Sequence, residues 1–74
     1  MKVKPGDVIF DKNLNRTLTV LNVTKTLYAS YGNYKMEYDM IEYMDSSQSQ
    51  GTINSVLEHE LDSWVGLQLL RVNE

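Results

Sequence analysis

Residues 34–45 read YKMEYDMIEYMD and give the strongest strand signal in the chain. Tyr38, Ile41 and Tyr43 stand among carboxylates, and outward-facing charge of this kind keeps a strand soluble. A polar run, SSQSQG, follows at 46–51, and the next apolar residues lie in TINSV. The segment therefore predicts a strand that continues through a hairpin turn into another strand.

Two further strands are predicted before this hairpin. In KPGDVIFD, residues 4–11, a Pro-Gly turn precedes the apolar VIF, which begins the first strand. RTLTVLNVT, residues 16–24, is rich in β-branched residues and predicts the second strand. Leu18 and Val20 share one face of that strand, and the face is expected to switch near Leu21 to bring the next valine inward.

The segment SVLEHELDSW, residues 55–64, fits two structures. Its Ser and first Glu have the spacing of a helix capping box, and its Leu and Trp residues recur at i, i+4 and i+7. Ile53 and Val56 instead continue the strand pattern. We predict a strand through about Leu57, one helical turn at 58–61, and a last strand in GLQLLRV.

Five short strands in so short a chain predict an all-β fold, a small five-stranded barrel, because closure removes exposed sheet edges. One domain is expected to cover residues 1–74. The order KPGDVIF, TLTVLNV, YDMIEYMD, TINSVLEHEL and LQLLRV resembles the SH3-like barrel of many small bacterial and phage proteins. Those proteins often carry a Pro-Gly-Asp before the first strand and a leucine of a short helical turn before the last. The matching residues here are Pro5, Gly6, Asp7 and Leu61.

The chain is also similar, over nearly its whole length, to the small prophage proteins of Bacillus of the YorP type. This resemblance implies an SH3-like barrel with one short helical turn before the last strand, and a prophage gene as its source. SH3-like barrels bind peptides, nucleic acids or other domains and are rarely enzymes by themselves. The resemblance brings no catalytic residue, so the function it implies is binding.

Composition limits the kind of protein this can be. Among 74 residues there is no cysteine and one histidine, His59, which excludes disulfides, thiol catalysis and the common structural zinc sites. No apolar run approaches the roughly 18 residues of a membrane span, and none follows the first lysines as in a secretory signal. We therefore expect a cytoplasmic protein with no membrane contact, no metal and no cofactor.

Charge is distributed unevenly along the sequence. Residues 1–35 hold six cations and two carboxylates, whereas residues 36–74 hold one cation and eight carboxylates, and the net charge is −3. In one small domain the two halves are expected to interleave and attract each other across strands. The alternative is a dipolar surface, with a basic patch for phosphates or an acidic patch for a basic partner.

Two partial motifs do not meet the requirements of the sites they resemble. In DSSQSQGTI, residues 45–53, oxygen-bearing side chains alternate as in a calcium loop, but Gly51 is seventh rather than sixth and the twelfth residue is Val56 rather than Glu. We interpret the run as a hairpin turn in which Gly51 takes a positive φ. HELDS starts like the zinc protease motif, yet Ser63 stands where the second histidine belongs, and His59 is expected to be exposed.

The carboxylates of the second half offer no catalytic pair. They alternate with apolar residues, and nothing in the sequence sets one carboxyl apart from the others, as a general acid with a raised pKa would require. We therefore expect no enzymatic activity.

The candidate binding residues lie in or beside TLYASYGNY, residues 26–34, which contains a Gly-Asn pair and predicts an exposed loop between the second and third strands. Its tyrosines recur every third residue, and two lysines flank them. The predicted site consists of Lys25, Tyr28, Tyr31, Tyr34 and Lys35. Exposed tyrosines can hold a proline-rich peptide, or stack on bases while lysines bind phosphates. Alternatively, one or two of the tyrosines cover the open end of the barrel. Trp64 is likewise expected to be part of the core.

The sequence thus favours a monomeric, non-enzymatic module that binds a host or phage protein through the tyrosine loop or through its acidic strands. The alternative is a weak nucleic-acid-binding domain that uses Lys12, Arg16, Lys25 and Lys35 together with the tyrosines. The net negative charge opposes that alternative. A third hypothesis is that the acidic half imitates nucleic acid and occupies a basic site on another protein.

Overall fold

The computed structural model describes residues 1–29 and 35–70. The elements of these residues, in chain order, are β1 (Val8–Asp11), β2 (Arg16–Ala29), β3 (Lys35–Asp45), β4 (Asn54–Leu57), α1 (Glu58–Asp62) and β5 (Leu67–Leu70). The strands form one antiparallel sheet in the order β4-β3-β2-β1-β5. The predicted all-β class, with five strands and a short helix before the last, is confirmed for this part of the chain.

The two end strands of the sheet are β4 and β5. Hydrogen bonding among the described residues therefore leaves the sheet open between them, and the closed barrel stays a prediction. The helix α1 connects these two strands and packs against β3 and β4. Its buried residue is Leu61, which is 1% exposed and anchors the connection to the core. This is the leucine that the resemblance to SH3-like barrels places before the last strand.

The chain enters β1 through the predicted Pro-Gly turn. The Asp7 amide donates to the Lys4 carbonyl at 3.0 Å, and Gly6 has a φ of 93°, which is the geometry of a type II turn with Pro5 at its second position. The Gly6 amide then donates to the Val20 carbonyl, and the Val20 amide donates to the Asp7 carbonyl, both at 2.9 Å. The turn therefore holds the start of β1 against β2, and Asp7 is buried there.

The second strand changes its buried face where the sequence predicts. Leu18 and Val20 are each 1% exposed. The register with β3 then shifts between Val20 and Asn22, so that Leu21 is an extra residue on β2. As a result Val23 packs against the core, which confirms the expected switch.

The core lies on one face of the sheet. Residues from four strands and α1 form it: Ile9, Leu18, Val20, Ile41, Tyr43, Val56 and Leu61. Trp64 packs against this cluster as predicted, and its ring lies edge-on to the Tyr43 ring with the centroids 6.3 Å apart. Because successive side chains on a strand point to opposite faces, the neighbours of the core residues on each strand face outward.

The segment between β3 and β4 is a turn. Gly51 has a φ of 92°, as predicted, and the Gln48 amide donates to the Asp45 carbonyl at 3.1 Å. The expectation that Ile53 continues the strand is wrong, because pairing with Tyr43 starts only at the following residue. Ile53 is accordingly 61% exposed.

The helix α1 begins where we predict it. Leu57 precedes its first turn and makes no side-chain capping bond. The capping box suggested by Ser55 and Glu58 does not form, because Ser55 lies in β4 opposite Glu42. The strand through Leu57 and the helical turn after it are therefore confirmed.

Arg16 binds two carboxylates at the end of the sheet where β1 ends and β2 begins. Its Nε donates to Asp11 Oδ2 at 3.0 Å, and its Nη1 donates to Asp45 Oδ2 at 2.5 Å. Its guanidinium lies 5.5 Å from the centre of the Trp64 ring. All three charged side chains are largely buried, with exposed fractions of 16%, 5% and 2%. A cation of the first half is thus held by a carboxylate of the second, as the charge distribution predicts.

The same carboxylates organise the turns that follow them. Asp11 Oδ1 accepts the amides of Asn13 and Leu14 at 3.0 and 3.3 Å. Asp45 Oδ1 accepts the amide and the hydroxyl of Ser47 at 2.8 and 2.7 Å. Burial raises the pKa of each carboxyl, but these hydrogen bonds and the guanidinium outweigh it, so both pKa values lie below the ordinary value.

The depressed pKa values make the stability of the domain depend on pH. A carboxyl with a lower pKa in the folded state stabilises the fold above its unfolded-state pKa, about 3.9, and this contribution is lost as the pH falls through the folded value. We expect the free energy of unfolding, measured by urea denaturation, to decrease between about pH 4 and pH 2. In Asp45→Asn, which cannot ionise at that position, we expect a lower value at neutral pH and a shallower decrease. A pH profile parallel to that of the wild type contradicts this role.

Removing the cation tests the same network from the other side. Arg16→Met leaves two buried carboxylates without their partner, and we expect it to lower the free energy of unfolding by about 2–4 kcal/mol. Lys25→Met is the matched control, because Lys25 is 71% exposed and its Nζ lies 3.8 Å from Asp39. Exposed pairs of this kind contribute little to stability. Similar losses in the two variants contradict a special role for Arg16.

Candidate functional site

The predicted tyrosine loop begins as a β-hairpin. Strand β2 continues to Ala29 and pairs with β3 from Lys35 onward, with Tyr28 opposite Met36. The prediction of a loop is therefore wrong for residues 26–29. The physical reason is tertiary, because β3 offers backbone hydrogen-bonding partners along its whole length and thereby extends β2 beyond its β-branched segment.

The predicted site residues fall into two groups. Three lie on the strands of the hairpin: Lys25, Tyr28 and Lys35. Tyr31 and Tyr34 lie outside the described residues. Lys25 is the member of the set whose side-chain surroundings the structure describes. Its side chain is exposed, and its Nζ lies within ion-pair distance of Asp39.

Carboxylates lie close to two of the four cations that the nucleic-acid hypothesis uses, and to Lys2. Lys25 Nζ lies 3.8 Å from Asp39 Oδ1, and Lys2 Nζ lies 3.4 Å from Asp39 and 3.3 Å from Glu58. Arg16 is enclosed by two carboxylates of its own. Of the four cations predicted to contact nucleic acid, Arg16 is thus buried against its carboxylates and Lys25 shares its surface with Asp39, which weakens that hypothesis.

These lysines and their carboxylate partners line an open groove of about 240 Å³ between β3, α1 and the first residues of the chain. The pKa of Asp39 lies below its ordinary value, because the Glu58 carboxyl hydrogen-bonds to it and Lys2 lies close by. The hydrogen bond and charge of Glu58, followed by those of Asp39, raise the pKa of Lys2. His59 is exposed, as predicted, and its ring lies 4.8 Å from that of Tyr38. The groove is a solvated network of opposite charges, which contributes little binding energy for a further ion.

In the calcium-like run, residues 45–53, the oxygens of Asp45 are used for contacts that stabilise the fold. Asp45 directs one carboxylate oxygen to Arg16 and the other to Ser47, and the elements on both sides are strands. This agrees with the interpretation of the run as a turn. Within residues 1–29 and 35–70, no group of three or more His, Asp or Glu side chains is arranged to hold a metal ion. In the same residues no helix has the length and apolar character needed to cross a bilayer.

The outer face of the sheet carries the surface that the sequence interpretation missed. Ile9 and Leu18 are buried, so the residues on either side of each point away from the core. The same alternation turns outward the residues beside Tyr43 and Leu69. Seven of the eight residues turned outward in this way are neighbours across four strands and are named here the outer band: Val8, Phe10, Thr17, Thr19, Met44, Gln68 and Leu70. The eighth, Glu42, lies next to Met44 along β3 and borders the band.

Cross-strand pairing arranges the outer band in two rows. The first row runs across β3, β2, β1 and β5 as Met44, Thr19, Val8 and Leu70. The second row contains Thr17, Phe10 and Gln68. The band contains no charged residue, although the chain has seven basic and ten acidic residues among 74. It is therefore an uncharged area, bordered on β3 by Glu42, on the surface of an otherwise charged protein.

The outer band opens beside Met44 into a hollow of about 270 Å³. Thr17 and Thr19 form one wall, and the turn after β3 forms the other with Gln48 and Gln50. Small-molecule sites span roughly 300–1,000 Å³ and are more enclosed. The hollow therefore suits a single side chain of a partner rather than a cofactor.

A signal for the outer band is present in the sequence. In VIF, residues 8–10, three apolar residues follow one another, and a strand cannot place consecutive side chains on the same face. Burial of Ile9 therefore requires Val8 and Phe10 to face outward. The sequence therefore predicts that Val8 and Phe10 face outward. Which residues of the other strands lie beside them depends on the sheet register.

Comparison with protein-family models, curated proteins and solved structures found no match. The resemblance to prophage proteins of the YorP type therefore stays a prediction.

The hollow beside Met44 can be tested with a small amphiphilic probe. We expect 2-propanol, which carries two methyl groups and a hydroxyl, to shift the amide NMR signals of Thr17, Thr19 and Ser46 more than those elsewhere. Met44→Lys places a charge in the hollow and is expected to remove the local shifts. Thr24→Lys, on an exposed position of β2 outside the outer band, serves as the control. Shifts of equal size over the whole surface contradict a preferred hollow.

Proposed function

We propose that this protein is a non-enzymatic binding module whose outer band contacts a partner protein. The observation that carries this proposal is the absence of charge from seven neighbouring positions across four strands. The centres of protein–protein interfaces are depleted in charged residues and enriched in aromatic residues and Met. The outer band matches this composition with Phe10 and Met44.

The energetics favour covering this band with protein. Leu70 is 40% exposed, and Val8, Phe10 and Met44 are each partly exposed. Removing apolar surface from water contributes about 25 cal/mol per Å², so each 100 Å² covered contributes about 2.5 kcal/mol before the costs of association. The unbranched Met44 side chain can adapt to a partner, and the threonine hydroxyls can hydrogen-bond at the rim.

The acidic strands and the basic residues are the less favoured surfaces. The acidic residue Asp39 is neutralised by lysines, so less charge is left for imitating nucleic acid or attracting a basic protein. Nucleic-acid binding through residues 25–35 is kept as the weaker proposal, because Lys25 and Arg16 already have carboxylate partners. A partner of uncharged surface fits the outer band better than either.

We also infer a cytoplasmic location and a prophage gene. A chain without cysteine suits a reducing compartment. The prophage origin is supported by the order of the strand segments and by the Pro-Gly-Asp turn before β1, which the fold uses as the resemblance implies.

Photo-crosslinking tests the contact surface. A benzophenone amino acid at position 19, in the centre of the outer band, is expected to crosslink a specific protein in lysate of a Bacillus host, the source that the proposed origin implies. Excess unlabelled wild-type domain competes for that product. Thr19→Glu is expected to compete at least about tenfold less well, because a charge in the interface centre must be desolvated.

The matched control is Thr24→Glu, which adds the same charge on the same strand at another exposed position. We expect it to compete as well as the wild type. Both substituted positions are exposed, so both proteins are expected to keep the wild-type unfolding free energy. Equal competition by Thr19→Glu and the wild type rules out the outer band as the contact surface.

A further inference from the structure

Strand β5 presents backbone groups at an open edge of the sheet. The Lys12 amide donates to the Gly66 carbonyl at 2.9 Å, in line with the register between β1 and β5. Because bonded and non-bonded pairs alternate in an antiparallel ladder, Gln68 and Leu70 hydrogen-bond to β1. The amides and carbonyls of Leu67 and Leu69 therefore point away from β1, towards the edge.

In the part of the chain that the structure describes, this edge carries no proline, charge or bulge that would prevent pairing. Among the described elements, β5 contacts β1, whereas β4 at the opposite end leads directly into α1, which packs against it. The residues of β5, LQLL, include no proline and no charged side chain, and the pairing with β1 has no bulge. Proline, charge, bulges and short strands prevent a sheet edge from pairing with another chain; of these β5 has only a short length, four residues.

We propose that β5 pairs antiparallel with β5 of a second copy of this chain, forming one sheet across the two domains. With Gln68 opposite the partner's Gln68, Leu67 lies opposite the partner's Leu69, and the reverse pair is identical by symmetry. The edge-facing groups of these leucines then form four backbone hydrogen bonds. The contact is isologous and closes on itself as a dimer.

The sequence of β5 is complementary to itself in this register. Leu67 and Leu69 pack against the core, so in the pair they meet leucines on the inner face. The two Gln68 side chains meet on the outer face and can hydrogen-bond to each other. The chain has a net charge of −3, which opposes contact between copies elsewhere, but β5 is uncharged.

Pairing through β5 has a consequence beyond the proposed binding function. In this register, inner-face residues of one copy lie opposite inner-face residues of the other, so the two outer bands lie on the same side of the joined sheet. The dimer is then a bivalent module, in which a partner with two sites binds more tightly than it does to one domain. This departs from the monomer expected from the sequence.

Sedimentation equilibrium tests the dimer. Because β5 has four residues, the contact is small, and we expect the average mass to rise from 8.5 kDa towards twice that value over about 10 µM to 1 mM protein. Gln68→Glu and Gln68→Lys each place like charges opposite each other, and each is expected to stay monomeric at low salt. An equimolar mixture of the two is expected to recover the dimer, because opposite charges then meet.

Ser55→Lys is the matched control for Gln68→Lys, since Ser55 is exposed on the other end strand and lies opposite Glu42. It is expected to dimerise as the wild type does. Hydrogen exchange supplies a readout without substitution: the Leu67 and Leu69 amides become protected as protein concentration rises, whereas the Gln68 amide is protected throughout.

A wild-type protein that stays monomeric at 1 mM overturns the proposal, as does a Gln68→Glu protein that dimerises normally. Dimerisation with no concentration-dependent protection of Leu67 and Leu69 places the contact elsewhere and also overturns it. These outcomes are independent of the crosslinking from position 19, because that experiment reports on the outer face rather than on the edge of β5.

Discussion

The guanidinium of Arg16 holds together the end of β1, the start of β2 and the end of β3. Its two carboxylate partners, Asp11 and Asp45, use their other oxygens to order the turns that follow. A buried carboxylate is costly unless it is paired and hydrogen-bonded, so these contacts depend on one another. The outer band lies on the opposite face of these three strands and of β5, and its alignment on the three strands therefore depends on this polar network.

The surface of the domain consists of paired charges in one region and the uncharged outer band in another. Three of the six cations of the first half of the chain, Lys2, Arg16 and Lys25, pair with carboxylates of the second half. These ion pairs place opposite charges together where the sequence suggested a basic or an acidic patch for binding a charged partner. The outer band has no such partner, and its apolar side chains remain exposed to water.

The candidate site was harder to predict than the fold because its residues are not adjacent in the sequence. The tyrosines drew attention through regular spacing, whereas Phe10, Thr19 and Met44 come from three separate strands. They become neighbours only through the cross-strand register, and the register depends on the extra residue in β2. A one-residue slip of a strand would turn its residues to the other face.

The sequence by itself determined the local structure: the Pro-Gly turn before β1, the face switch in β2, the turn at Gly51 and the helical turn after Leu57. Each follows from steric preferences or from hydrophobic periodicity within a few residues. Tertiary structure alone decided the extension of β2 to Ala29, the pairing of Arg16 with Asp45, and the assembly of the outer band. These features require residues far apart in the chain to meet, and local preferences carry no information about which strand lies beside which.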